Sequence, residues 1–111
     1  RLSAAAVGAI EGADELAVAA ITWYELAWLG HNDRISLAVP LRTWIDGLGA
    51  DVRTVPISPS IAATAVELAA SFPGDAADRL IYATAVERGW QLVTKDGRLR
   101  RHRHPRRITV W

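Results

Sequence analysis

Strand-length apolar runs alternate along this chain with segments of helical periodicity that carry their own start and stop signals. No other feature constrains the fold as much. Ser3 heads an Ala-rich stretch to Ile10, closed by Gly12, the pattern of a short capped helix. Leu16 to Ile21 is a six-residue apolar run, short enough for a strand buried on both faces. From Thr22 to Gly30, Trp23, Leu26, Ala27 and Leu29 recur at helical spacing, and His31, Asn32 and Asp33 follow as a polar turn. Pro40 to Leu48 reads as an amphipathic helix, with Leu41, Trp44, Ile45 and Leu48 on one side. Val52 to Ile57 alternates like a strand that ends at or near Pro56.

The second half repeats the alternation. Ser58, Pro59 and Ser60 open a helix carrying Ile61, Ala65, Val66, Leu68 and Ala69. Phe72-Pro-Gly74 breaks it, and Asp75 starts another helix that runs to Arg88 and Gly89. Trp90 to Thr94 is a predicted strand, Lys95-Asp96-Gly97 a turn, and Ile108 to Trp111 a last short strand. Strands alternating with helices predict a single α/β domain, a parallel sheet with helices on its faces.

Composition narrows the function classes. No run approaches the ~18 residues of a membrane span, and the first residues show no secretory pattern. The chain has no cysteine, which removes disulfides, thiolate metal sites and cysteine nucleophiles and fits the reducing cytoplasm. Its net charge of +1 is unevenly spread. Seven of the 13 basic residues (Lys95, Arg98, Arg100, Arg101, Arg103, Arg106 and Arg107) lie after residue 94, where Asp96 is the one acid. The body before them is acidic. Such asymmetry points to a polyanion or an acidic partner, or to a solvated basic end.

In a parallel α/β sheet, ligands bind outside the carboxyl ends of the strands. Three acidic positions follow or lie near such ends: Glu25 after the Leu16–Ile21 run, Asp78 with Asp75 on the following helix, and Asp96 after Trp90–Thr94. Brought together they would repel one another and need a cation, and hard carboxylate oxygens suit Mg²⁺ or Mn²⁺. Each also has a purely structural reading. Thr22 and Glu25 have the spacing of a capping box. Asp75 suits an N-cap, Asp78 a first helical turn, and Asp96-Gly97 a plain turn.

Other chemistries find less support. The chain has no G-x-G-x-x-G, no P-loop and no H-E-x-x-H. His31, His102 and His104 read as solvated residues, and His102-x-His104 lacks a third partner for a metal. Trp23, Trp28 and Trp44 suit core or interface packing better than base stacking.

Leu16-Ala-Val-Ala-Ala-Ile-Thr-Trp-Tyr-Glu25, Gly74-Asp-Ala-Ala-Asp-Arg-Leu-Ile-Tyr-Ala-Thr-Ala85 and Leu92-Val-Thr-Lys-Asp96, in this order and at these separations, resemble the PIN-domain ribonucleases of the VapC toxin type. The resemblance covers nearly the whole chain, and Asp78-Arg-Leu-Ile81 with Asp75 before it is its most specific part. It implies a three-layer α/β/α fold with a parallel sheet. It also implies an Mg²⁺-dependent endoribonuclease, with Mn²⁺ as an alternative ion, acting on RNA as the toxin of a type II toxin–antitoxin pair. The implied partners are a VapB-like antitoxin and a second copy in a homodimer. By the resemblance Glu25, Asp78 and Asp96 are the catalytic and metal-binding acids, with Asp75 a weaker outer member. Thr94 accompanies Asp96, and Arg98, Arg100 and Arg101 contact substrate phosphates.

The sequence departs from the family at its beginning, where a first strand ending in an aspartate is expected. That strand is central in the family's sheet. Its lack predicts an interrupted core and one metal ligand fewer, with about 15–25 residues, the length of one βα unit, preceding Arg1, unless another chain supplies the strand or the gene is degenerate. The chain as it stands is accordingly expected to have little activity. Two other readings compete: a non-catalytic PIN-like module that binds an antitoxin-like protein or RNA, and a small-molecule-binding α/β domain.

Overall fold

A computed structural model describes residues 3–102 and 107–111 of the chain. Arg103, His104 and Arg106, named above for their charge or as a metal-binding candidate, lie outside the described residues. The order of elements is α1 (Ala4–Glu11), β1 (Ala17–Ala19), α2 (Ala20–His31), α3 (Leu41–Gly49), β2 (Arg53–Val55), α4 (Pro59–Glu67), α5 (Ala76–Arg88), β3 (Leu92–Val93), α6 (Gly97–Arg101) and β4 (Thr109–Val110).

Capping chemistry sets several helix ends where the sequence predicts them. Ser3 Oγ accepts from the Ala6 amide at 3.1 Å, and Ser58 Oγ from the Ile61 amide at 3.1 Å, with Pro59 in the first helical position. At the end of α5, Gly89 takes φ of +67°, a left-handed conformation that suits glycine. The start of α2 departs from expectation. That helix begins at Ala20 and its N-cap is Ala19, so Thr22 already lies inside it and no Thr22–Glu25 capping box forms. The strand before it shrinks to three residues, because β1 passes into α2 without a turn.

The strands pair in parallel, in two separate ladders. Ala17, Val18 and Ala19 of β1 face Arg53, Thr54 and Val55 of β2, while Leu92 and Val93 of β3 face Thr109 and Val110 of β4. The sheet is thus interrupted rather than continuous. Each ladder has its own apolar cluster, and both lean on α5. Val55, Ile61, Ala65 and Ala83 form one, with Ala17, Leu80 and Trp90 against them. Leu68, Phe72, Tyr82 and Leu99 form the other, backed by Val86, Leu92 and Ile108.

Helix α5 is therefore the pivot of the molecule. It supplies Ala83 to one cluster and Tyr82 to the other, both with no exposed surface. Two polar clips tie it to α4. Glu87 accepts hydrogen bonds from Ser60 and Thr64, which hold its carboxyl below the usual range. At the other end the Arg79 guanidinium donates to the carbonyls of Ala65, Leu68 and Ala69 at 3.1–3.2 Å. Those carbonyls lie at the end of α4, so Arg79 satisfies acceptors that the helix leaves open. It also stacks 5.4 Å from the Phe72 ring.

Candidate acidic site

The N-terminus of α5 carries the centre of the site. Asp75 is its N-cap: Asp75 Oδ1 accepts from the Asp78 amide at 2.9 Å, and Asp78 Oδ2 accepts from the Asp75 amide at 3.1 Å. This reciprocal box is the one the sequence pattern placed at Thr22 and Glu25. It depends on Gly74, for a Cβ there would stand 2.8 Å from Asp78 Oδ2, 2.9 Å from its Cγ, and closer still to its Cβ. Gly74 therefore matters as the residue over which Asp78 folds back, beyond its part in breaking the preceding helix.

Glu25 reaches the same place from α2, which packs against α5. Partial burial raises its carboxyl above the ordinary 4.5, and the charges of Asp78 and Asp75 raise it further. Asp78 is also raised, chiefly by burial and then by the charge of Asp75 and its side-chain hydrogen bond, with Asp96 adding to the push; a backbone hydrogen bond at Asp75 offsets part of this. Residues from three segments distant in sequence thus act on Asp78: Glu25 feels its charge and that of Asp75, and Asp78 in turn feels Asp75 and Asp96.

Asp96 sits after β3 as the N-cap of α6, rather than in a plain turn. Thr94 Oγ1 accepts from the Asp96 amide at 3.2 Å, so this hydroxyl orients the acid's backbone. Asp96 in turn is held by Arg98: Nη2 lies 2.9 Å from Oδ2, Nε 3.3 Å from Oδ1, and the Arg98 amide 2.8 Å from Oδ1. This pairing holds the Asp96 carboxyl below its ordinary 3.8. The same Nη2 is 3.9 Å from Asp78 Oδ2, and Nη1 donates to the Pro73 carbonyl at 3.2 Å.

Among the described residues no three acidic or histidine side chains stand close enough to hold a metal ion as they are. The donor chemistry nevertheless fits a hard divalent cation. The oxygens are carboxylates, two of the acids are raised by burial and by neighbouring charge, and the Arg98 guanidinium already lies within 4 Å of both Asp78 and Asp96.

The other sequence candidates stand apart. Among the described residues neither Arg100 nor Arg101 makes an ion pair with these acids. Arg101 folds back over Gly97, and Arg100 is half-buried with Nε unpartnered. His102 packs edge-on against Phe72 and Tyr82, an aromatic cluster rather than a solvated tail. Trp23 donates to Thr54 Oγ1 at 2.9 Å, while Trp28 is 44% exposed and stacks with Arg34 instead of filling the core. A surface concavity lined by Gly30, His31, Asp33, Ile35, Leu37 and Leu41 lies at the C-terminal end of α2 and includes none of the clustered acids.

The PIN-domain family model matches residues 1–105. The chain belongs to the PIN-domain family, VapC type. It is 68% identical over 111 residues to Ribonuclease VapC22 of Mycobacterium tuberculosis (strain ATCC 25618 / H37Rv), a match that spans all of this chain and 85% of that relative. No solved structure matches the chain. The three-layer α/β/α arrangement of PIN domains accounts for the parallel ladders and for helices that alternate with strands. No described helix of this PIN domain is long and apolar enough to cross a membrane.

Proposed function

We propose that this VapC-type PIN domain is the toxin of a toxin–antitoxin pair and cleaves RNA as a metal-dependent endoribonuclease, with Glu25, Asp78 and Asp96 as its acidic site. The observation that carries the reading is the convergence of these acids from α2, α5 and the β3–α6 junction, with Glu25 and Asp78 raised by burial and by their neighbours. Structural caps alone do not account for Glu25, which caps nothing in α2. A cation that neutralises them would offset that repulsion.

Glu25, Asp78 and Asp96 would hold the ion, Mg²⁺ or Mn²⁺, while Asp75 keeps Asp78 in place through the capping box. A divalent ion at such a site supplies an activated water and neutralises charge on the scissile phosphate. The acids orient that water. Thr94 fixes the backbone of Asp96, and Arg98 offers its guanidinium to phosphates at the rim, with Arg100 and Arg101 on the same short helix adding positive charge farther from the acids, so binding weakens as salt rises. The partners of this reading are RNA, a VapB-type antitoxin and a second copy of the chain; its compartment is the cytoplasm, and residues 1–111 act as one domain.

RNA cleavage by the full-length protein tests it, with Mg²⁺, with EDTA, and with Asp78→Asn. The asparagine oxygen can still accept from the Asp75 amide, so the variant removes charge while keeping the cap. Cleavage that requires metal and is lost in D78N supports the reading. Metal-independent cleavage, or an unaffected D78N, contradicts it.

A further inference from the structure

We propose that Arg98 is a built-in counter-ion of the acidic site and competes with the divalent cation for Asp78 and Asp96. The inference rests on the reading of that cluster as a cation site. Its guanidinium forks onto Asp96 through Nε and Nη2, at 3.3 and 2.9 Å, and the same Nη2 faces Asp78 Oδ2 at 3.9 Å. Nη1 is anchored 3.2 Å from the Pro73 carbonyl, just ahead of the Gly74–Asp75 corner that shapes the α5 cap. One side chain therefore ties together the two segments that carry the acids.

Geometry makes the two cations exclusive. A small divalent ion binds its oxygens at about 2.0–2.1 Å, so one bound by both carboxylates must draw Asp78 Oδ2 and Asp96 Oδ2 around itself. Nη2 now lies within 4 Å of both oxygens, 2.9 Å from that of Asp96 and 3.9 Å from that of Asp78. The guanidinium has to turn away before the ion can be shared. Nothing buries it in place, since 55% of its side chain is exposed. Once released it remains at the rim, where its planar fork suits a phosphate. Arg98 thus holds the carboxylates together before the ion arrives and is free for RNA afterwards.

The competition is read directly from Mn²⁺ affinity, measured by titration calorimetry and Mn²⁺ EPR at fixed ionic strength. The full-length protein is compared with Arg98→Gln and Arg98→Lys. R98Q should bind Mn²⁺ about three- to tenfold more tightly, the scale of an ion pair that is largely exposed yet shared between two carboxylates. R98K, which keeps the charge but loses the fork, should fall between. In EDTA, R98Q should melt below the wild type, with a larger Mn²⁺-induced rise in Tm. Mn²⁺ binding by R98Q equal to or weaker than wild type overturns the competition and leaves Arg98 a structural clip. No Mn²⁺ binding by any of the three proteins overturns the cation site itself, and the proposal with it.

Discussion

Asp78 and Asp96 are the same residue type in closely similar local settings, each within the N-terminal turn of a helix and each bonded to a backbone amide there. Their carboxyls nevertheless shift in opposite directions. Asp78 is raised by burial and by acids around it, whereas Asp96 is lowered by the Arg98 fork. Both helix dipoles favour the charged form, so the difference comes from what the fold places beside each acid. One half of the site is crowded and under-compensated, and the other is already paired. A divalent ion would serve the first most and would have to displace the partner of the second.

That contrast orders the expected effects of substitution. Asp78→Asn should reduce RNA cleavage by about 100-fold or more while leaving Tm within a few degrees, because it removes the charge and spares the cap. Gly74→Ala attacks the same acid sterically. It should reduce cleavage by about 10- to 100-fold through displacement of Asp78 and lower stability by about 1–3 kcal/mol in urea unfolding. Asp75→Ala should cost about 1 kcal/mol of stability as a lost N-cap, with Asp75→Asn costing only a few tenths. If D75A proves as damaging to cleavage as D78N, Asp75 acts on the reaction and not merely on the cap.

The smallest effect is the most diagnostic of crowding. Glu25 has a raised carboxyl in the folded protein, so the stability tied to its protonated form is present below its ordinary value of 4.5 and is lost as pH rises through the raised one. Glu25→Gln should match the wild type in acid and exceed it by about 0.5 kcal/mol at neutral pH, a modest figure because solvent screens the site. Asp96 runs the other way. Its contribution is present above its ordinary value and fades as pH falls through the lowered one, so Asp96→Asn should lose stability at neutral pH and little in acid. Urea unfolding across that range separates the two halves.

Much of this layout is legible in the sequence because caps are local chemistry. Ser3, Ser58-Pro59, Asp75 and Gly89 mark helix ends that the structure reproduces, and Glu25 comes within reach of the charges of Asp75 and Asp78. The misreadings have one cause: groups whose roles are set by distant neighbours. Thr22 and Glu25 match a capping box in spacing, yet α2 begins at Ala20 directly from β1. Strand lengths contract because pairing, which propensity does not report, stops after two or three residues. The roles of Gly74, Arg79 and Arg98 depend on Asp78, on the end of α4, and on the Pro73 carbonyl. For Arg98 the signal was its two-residue spacing from Asp96; nothing local announced Pro73 or Asp78.

The central claim, that acids from three segments form one cation site, is tested most directly by Mn²⁺ binding to the full-length protein and its E25Q, D78N and D96N variants at neutral pH. Each substitution should weaken binding by about tenfold or more, D78N most, with all four proteins folded by circular dichroism. Wild-type affinity in all three variants would contradict that claim.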